Sequence, residues 1–117
     1  MDSQEFWQYL ERLVASNSIT IDRPKGSHHP RYPEIVYPLN YGYLDGTVSG
    51  DGAGIDIWVG ASDGRQLSAV VLTADLYKQD IEIKILLGCT EEEMQTILAF
   101  HNGKEMRAML VRRLKEE

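Results

Sequence analysis

The sequence predicts a mainly β, α+β fold in which short strands form a small barrel and helices pack outside it. Apolar or alternating runs of strand length recur between residues 19 and 114. A turn signal, Asp63-Gly64, separates two of them. Residues 2–16 and 90–103 instead have helical spacing and N-terminal capping signals. Since 117 residues is the length of one domain, we expect residues 1–117 to form a single unit, with the helix at 2–16 and the barrel and second helix at 18–114.

Composition narrows the functions that this chain can have. The chain is 43% hydrophobic and 26% charged, which is typical of a globular protein with one core. No segment approaches the ~20 apolar residues that span a bilayer, and the N-terminus lacks a secretion-signal pattern. A net charge of −6 argues against nucleic acid, whose binding depends on Lys and Arg. The single cysteine, Cys89, fits a reducing compartment. We expect a cytoplasmic protein that binds neither nucleic acid nor membrane.

The first third of the chain predicts a helix, a strand and a proline-rich connection. The helix begins at the capping box of residues 2–5, and its apolar residues recur at helical spacing. Ile19 to Asp22 is short, β-branched and alternating, as in a strand. Residues 24–38 contain four prolines, so we expect an extended, turning segment. We interpret His28 and His29 as loop residues without a shared ion, because neighbours in an extended chain point in opposite directions.

The later elements are predicted from alternation and from a second capping box. Ile57 to Val59 and Leu67 to Thr73 have the composition of buried strands. Thr90 to Glu93 begins a helix that ends near Asn102-Gly103. Residues 106–114 suit a final strand, although a helix remains open.

Residues 79–87 alternate sharply between two faces. Ile81, Ile83, Ile85 and Leu87 share one face, and Asp80, Glu82, Lys84 and Leu86 share the other. We expect the apolar face to meet the core, so that Asp80 and Glu82 point away from it.

The strongest functional signal lies in residues 37–59, YPLNYGYLDGTVSGDGAGIDIWV. Glycines at positions 50, 52 and 54 allow the loop to fold back, so Asp51 and Asp56 can aim at one point, as a hard cation requires. Asp75 and Asp80 are also five residues apart, on a short connection between two strands. Each pair alone is a weak signal, since an aspartate at a turn usually hydrogen-bonds its own backbone. The spacing does not match a calcium EF-hand.

These residues resemble a known family. Tyr37-Pro-Leu-Asn-Tyr41-Gly-Tyr43 followed by Asp51-Gly-Ala-Gly-Ile-Asp56 is similar to the Y-P-x-N-Y-G-Y and D-x-D-P-x-D segments of the soluble family I inorganic pyrophosphatases. The resemblance covers roughly residues 19–113. It implies an OB-like five-stranded barrel with outer helices, and often a homo-oligomer. It also implies several Mg²⁺ ions that bridge the phosphates of a small substrate and activate a bound water.

The resemblance further implies which residues hold metal. Two acidic pairs and one earlier aspartate match the family's positions. The first ions would be held by Asp51, Asp56 and Asp80, and a further ion arriving with substrate would be shared by Asp75 and Asp80. Asp22 would act through water.

Phosphate ligands are implied in the same way. Arg31 would clamp a phosphate with its planar guanidinium. Tyr41 would hydrogen-bond a phosphate or order the site. His101 and Asn102 fall near the Tyr-Lys pair that the family carries on its last helix.

Several positions depart from the family pattern. Ala53 stands where the family has the aspartate that orients or deprotonates the attacking water, and Glu82 stands where it has a lysine. A hairpin that supplies a phosphate-binding arginine is missing between Tyr32 and Tyr37. Losing a positioned base costs about 10²–10⁴-fold in rate. Glu82 or Glu34 is a candidate replacement for that base.

Three functions therefore compete. The first is Mg²⁺-dependent hydrolysis of pyrophosphate or a related small phosphoanhydride, with weakened activity. The second is a catalytically inactive binding or regulatory domain on the same fold. The third, an OB-type nucleic-acid binder, is opposed by the acidic charge. Metal binding is expected in the first two, because clustered acids stay ionised only beside a cation.

Overall fold

The computed structural model describes residues 3–114, in which the chain forms two helices and six strands. The elements are α1 (Ser3–Ala15), β1 (Ile19–Arg23), β2 (Asn40–Leu44), β3 (Asp56–Val59), β4 (Leu67–Asp75), β5 (Asp80–Leu87), α2 (Glu91–Phe100) and β6 (Met106–Arg112). The predicted mainly β, α+β fold is confirmed. Asp2, the expected first residue of the α1 capping box, lies outside the described residues. Neither described helix has the length and apolarity that crossing a membrane requires.

All six strands belong to one sheet, in the order β1-β2-β3-β5-β4-β6. Neighbouring strands are antiparallel, apart from β3 and β5, which run parallel. The sheet is open, with β1 and β6 at its edges in the described chain, and it has six strands where an OB-like five-stranded barrel was expected. The additional strand is β6, which pairs with β4 from Asp75–Met106 to Ala69–Arg112. The question left open for residues 106–114 is thereby answered: they begin with a strand.

The two helices pack on opposite faces of this sheet. Successive strand residues point to opposite faces. Trp58 and Leu86 pack with Met94 and Ile97 in one core, whereas their neighbours Ile57 and Ile85 pack with Trp7 in the other. We call these the α2 face and the α1 face of the sheet.

The faces of β5 do not follow the amphipathic expectation. Ile81 is 79% exposed and Ile83 is 49% exposed, whereas Lys84 is only 6% exposed. Asp80 and Glu82 are half-buried on the α2 face. The prediction that these two acids point away from the core was therefore wrong. The physical reason is that the core beneath α1 includes Ile85 and Leu87 but ends before Ile83, so the first half of the apolar face stays uncovered.

The second helix begins as its sequence predicts. The Thr90 side chain accepts a hydrogen bond from the backbone N–H of Glu93, and the Glu93 carboxylate accepts one from the backbone N–H of Thr90. This capping box satisfies N–H groups that would otherwise lack partners at the start of a helix. The helix ends at Phe100, which places His101 against the α2 face of the sheet.

Candidate functional site

A buried lysine lies at the centre of a polar cluster on the α2 face. Lys84 Nζ donates to Asp56 Oδ2 at 2.8 Å, to the Tyr41 hydroxyl oxygen at 2.8 Å and to Glu82 Oε2 at 3.3 Å. The Lys84 side chain is 7% exposed. An ammonium group has three N–H donors, so these three acceptors use all of them.

Strand pairing explains why these groups meet. Tyr41 of β2 lies opposite Trp58 of β3, and Trp58 lies beside Leu86 in the parallel pair of β3 and β5. Asp56 and Lys84 each lie two residues before Trp58 and Leu86, on the same face of their strands. The carboxylate and the ammonium are therefore neighbours because β3 and β5 are paired in parallel.

The tyrosine of this cluster is held in its neutral form. Burial raises the pKa of Tyr41 far above its ordinary range, and the negative charge of Asp56 and its hydrogen bond with the Tyr41 hydroxyl raise it further. The Tyr41 ring lies 4.5 Å from the ring of Trp58 and 5.6 Å from that of Tyr37, measured between centroids. Tyr41 thus anchors the cluster to the aromatic core.

A second lysine lies at the exposed end of the cluster. Lys78, in the turn between β4 and β5, places its Nζ 3.9 Å from Asp80 Oδ2 and 3.7 Å from Glu82 Oε1. Its side chain is 59% exposed, so these ion pairs are screened by water and contribute little to stability. Glu82 consequently has a different lysine at each of its two carboxylate oxygens.

The predicted pair on the β4–β5 connection does come together. Asp75 and Asp80 are directly opposite each other in the antiparallel pairing, where Cβ atoms are about 4.5–5.5 Å apart. Asp75 Oδ1 also accepts hydrogen bonds from the backbone N–H groups of Tyr77 at 2.9 Å and Lys78 at 3.1 Å. One carboxylate oxygen of Asp75 therefore stabilises the turn between β4 and β5.

Asp51 and Asp22 make their hydrogen bonds and ion pairs with near neighbours in the chain. Asp51 Oδ1 accepts hydrogen bonds from the Ser49 hydroxyl and from the backbone N–H of Ala53 at 2.9 Å, both within its own loop. These bonds, Ser49 first, lower the pKa of Asp51 below its usual value, and the positive charge of Lys78 contributes least to the same shift. Asp22 is exposed and lies 3.4 Å from the guanidinium of the adjacent Arg23. In residues 3–114 neither aspartate forms an ion pair with Lys84 or Lys78, the two lysines of the cluster.

Two of the residues expected to bind phosphate, Arg31 and Asn102, make contacts outside the Lys84 cluster. Arg31 is exposed in the proline-rich segment, with its guanidinium carbon 5.8 Å from the centre of the Tyr32 ring. Asn102 donates to the carbonyl oxygen of Leu98 at 2.9 Å and accepts from the backbone N–H of Ala108 at 3.1 Å. Asn102 therefore fastens the end of α2 to β6.

His101 lies behind the cluster and is buried. Its Nε2 accepts a hydrogen bond from the Trp58 indole N–H at 3.1 Å. Burial, followed by the positive charge of Lys84, lowers the pKa of His101 to about 3, so the ring is neutral at pH 7. A buried ring that is neutral at pH 7 offers a phosphate no positive charge.

The donor set around Asp56 does not fit a Mg²⁺ ion. Mg²⁺ needs oxygen ligands in near-octahedral geometry at roughly 2.0–2.1 Å, but Asp56 Oδ2 is bound by the Lys84 ammonium at 2.8 Å. Both oxygens of Glu82 face lysines as well. Within residues 3–114, no group of three or more His, Cys, Asp or Glu side chains is placed to hold a metal ion. The cation beside these acids is the ammonium of Lys84.

Sequence reasoning placed Lys84 on the same strand face as Asp80 and Glu82 but gave it no role. The available signal was its spacing: a lysine two residues after a glutamate on an alternating strand shares its face. The contact with Asp56 needed the pairing of β3 with β5, which no local pattern in the sequence indicates.

Comparison with known proteins gives matches in structure but not in sequence. No protein-family model matches the chain, and no curated protein matches it by sequence. The fold is similar to that of an inorganic phosphatase from Anaplasma phagocytophilum, with a TM-score of 0.56 and 16% identity over 80% of this chain and 81% of that one. It is also similar to the inorganic pyrophosphatase of Helicobacter pylori, with a TM-score of 0.55 and 16% identity over the same shares. The chain therefore has the fold of these inorganic pyrophosphatases.

Proposed function

We propose that this chain is a pyrophosphatase-like domain that does not carry out Mg²⁺-dependent hydrolysis and instead serves as a binding or regulatory domain. The observation that supports this most directly concerns Glu82, the candidate replacement for the missing base. Its Oε1 lies 3.7 Å from Lys78 Nζ and its Oε2 lies 3.3 Å from Lys84 Nζ. A general base has to hold the attacking water at about 2.6–3.2 Å, and at each oxygen of Glu82 an ammonium group competes with that water.

The surroundings of Ala53 support the same proposal. Its side chain is a methyl group and cannot accept a proton, and its backbone N–H is bonded to Asp51. Glu34, the other candidate base, is exposed in the proline-rich segment. No hydrogen bond or ion pair in residues 3–114 joins either glutamate to the loop of Ala53, which supports an uncompensated loss of about 10²–10⁴-fold in rate.

Phosphate release from pyrophosphate in millimolar Mg²⁺ tests this proposal. We expect the wild type to release phosphate no faster than buffer. Glu82→Gln and the control Glu92→Gln both replace a carboxylate by an amide of similar size, the first in the half-buried cluster and the second on the exposed first turn of α2. Mg²⁺-dependent release that persists in Glu92→Gln and is lost in Glu82→Gln would contradict the proposal.

A second candidate is Mg²⁺-dependent hydrolysis of pyrophosphate or a related small phosphoanhydride, with weakened activity. The position of Asp75 directly opposite Asp80, with Tyr41 and Asp56 on the same sheet face, favours it. This candidate requires Lys84 to release Asp56. It predicts slow phosphate release that is abolished by Asp80→Asn and by removal of Mg²⁺ with a chelator.

The proposed setting is cytoplasmic, without nucleic-acid or membrane partners. The net charge of −6 supports the exclusion of nucleic acid. Burial raises the pKa of the Cys89 thiol to about 12, which suits a cysteine that stays protonated and reduced. A homo-oligomer, which the family resemblance implies, is a further proposal that light scattering would test.

A further inference from the structure

We propose that Lys84 is a built-in replacement for a metal ion, so that the acidic cluster is held together by an ammonium group and does not take up Mg²⁺ at Asp56 and Glu82. The inference rests on the proposed function only in treating this cluster as non-catalytic. In this proposal Lys84 supplies the positive charge that, by the family resemblance, bound metal ions would supply to the acidic side chains.

The first support is the saturation of the ammonium group. Its three acceptors, on Asp56, Tyr41 and Glu82, lie at 2.8, 2.8 and 3.3 Å. They come from β2, β3 and β5, so the sheet itself fixes their positions. Among the described residues, no buried side-chain nitrogen or oxygen lacks a hydrogen-bond partner. The cluster is therefore complete as it stands.

The second support is the competition between ammonium and metal. The carboxylates of Asp56 and Glu82 both contact Lys84 Nζ, and two carboxylates that are so close together need a neighbouring positive charge to remain ionised. Lys84 is covalently attached and always present, whereas Mg²⁺ loses its hydration shell reluctantly. Entry of Mg²⁺ at Asp56 would displace the ammonium and leave a buried charge without its partner, which is strongly unfavourable. One site cannot accommodate both cations.

A different role for Lys84 is phosphate binding, in place of the lysine that the family carries at the position of Glu82. The geometry opposes this role, because every N–H of Lys84 is already donated within the cluster. A phosphate oxygen would have to replace Asp56 or Glu82 as an acceptor. The two roles predict opposite effects of removing Lys84, on metal binding in one case and on phosphate binding in the other.

Magnesium titration of three proteins tests the inference: the wild type, Lys84→Met and the exposed control Lys25→Met. Thermal unfolding and calorimetry are measured with and without millimolar Mg²⁺. We expect no Mg²⁺ effect on the melting temperature of the wild type or Lys25→Met. We expect Lys84→Met to melt at a lower temperature and to regain about 4 °C or more with Mg²⁺. Its affinity for Mg²⁺ should exceed that of the wild type by at least about tenfold.

Two outcomes would overturn the inference. Mg²⁺ that stabilises the wild type as much as Lys84→Met would show that the ammonium does not exclude the ion. Metal-free binding of pyrophosphate by the wild type, lost in Lys84→Met, would make Lys84 a phosphate ligand. Neither outcome depends on turnover: phosphate release by the wild type tests the proposed function, whereas Mg²⁺ binding in the absence of substrate tests the exclusion of the ion at Asp56.

A double variant keeps the test informative if Lys84→Met does not fold. Asp56→Asn combined with Lys84→Met removes both charges of the shortest ion pair, which is tolerated better than removing one of them. We expect the double variant to fold and to melt closer to the wild type, with no response to Mg²⁺. Failure of the double variant to fold would overturn charge balance as the role of Lys84.

Discussion

Asp51 and Asp56 come from the same glycine-rich stretch, but different parts of the molecule hold their carboxylates. Asp56 is the first residue of β3, and its side chain is 28% exposed. Its partner Lys84 belongs to β5 and lies 28 positions later in the chain. Asp51 is exposed and accepts hydrogen bonds from Ser49 and Ala53 in its own loop. A carboxylate held across strands depends on the whole sheet, whereas a carboxylate that caps its own turn depends on a few residues.

This difference shows what a spacing argument can establish. A spacing of five positions makes it feasible for Asp51 and Asp56 to share an ion, and this spacing argument applies equally to both aspartates. The role of each aspartate depends instead on whether it lies in the sheet and on which strand is its neighbour there. For Asp56 this is β5 with its buried lysine, and Asp51 has no such neighbour in the described chain.

The largest expected effect on the free energy of unfolding distinguishes strand β2 from the glycine-rich loop that contains Asp51. A Cβ on Gly42 in β2 would lie 1.8 Å from the backbone oxygen of Thr20, whereas one on Gly50 in the loop would meet nothing within 4 Å. A strand backbone cannot move aside cheaply, so Gly42→Ala should lower the free energy of unfolding by about 3 kcal/mol or more. Gly50→Ala should leave it almost unchanged. Urea unfolding of the two variants measures this difference. Equal unfolding midpoints for Gly42→Ala and Gly50→Ala would contradict the expected contrast between strand and loop.

Removing the strand-held carboxylate should have the next largest effect. Asp56→Ala leaves the Lys84 ammonium with two acceptors in a nearly buried position. Loss of one partner of a buried pair costs about 3–5 kcal/mol, and the partial exposure of Asp56 reduces our expectation to about 2–3 kcal/mol. Urea unfolding measures it. Asp56→Asn, which keeps an oxygen acceptor, is the matched control and should lose less.

Most elements of this fold were predicted from the sequence because they have local signals, whereas β2 was not predicted as a strand and residues 106–114 were left open between strand and helix. The capping box at Thr90 and the alternation of β5 are such signals, and both elements form where predicted. The sequence did not predict which side chains of β5 are buried and which are exposed. Its isoleucines face outward at Ile81 and Ile83 because α1 covers only the far half of that face, and the extent of a helix over a sheet is a tertiary property.

The site was predicted in part for the same reason. Asp75 and Asp80 meet because they flank one tight connection, which is local information. The cluster around Lys84 depends on the parallel pairing of β3 with β5, which brings together residues that are far apart in sequence. The roles of His101 and Asn102 in joining α2 to the sheet likewise arise only after the helix has packed.

The buried side of the cluster should also make stability depend on pH. The pKa of His101 is lowered to about 3 by burial and by Lys84, while Asp56 opposes the shift; in the unfolded chain it is about 6.5. Between these values the unfolded state binds a proton that the folded state does not, so stability is lost as the pH falls through this window. We expect a loss of about 2 kcal/mol from pH 7 to pH 5.

Urea unfolding at the two pH values measures this loss. His101→Gln is the matched control, because its amide oxygen can accept the hydrogen bond of Trp58 without titrating. The variant should show a much smaller change between pH 7 and pH 5. An equal pH dependence in wild type and variant would assign the effect to other groups.

The smallest expected effect belongs to the loop aspartate. Asp51→Ala removes two hydrogen bonds within an exposed turn, and Ser49 and the backbone of Ala53 can then bond to water. We expect an unfolding midpoint within error of the wild type and an unchanged response to Mg²⁺. This result would place Asp51 outside the Lys84 cluster. If Asp51→Ala instead lost as much stability as Asp56→Ala, and Mg²⁺ affected the wild type but not this variant, the loop and the strand would act as one metal-binding unit. The cation that joins them would then be the metal, and Lys84 would be incidental to it.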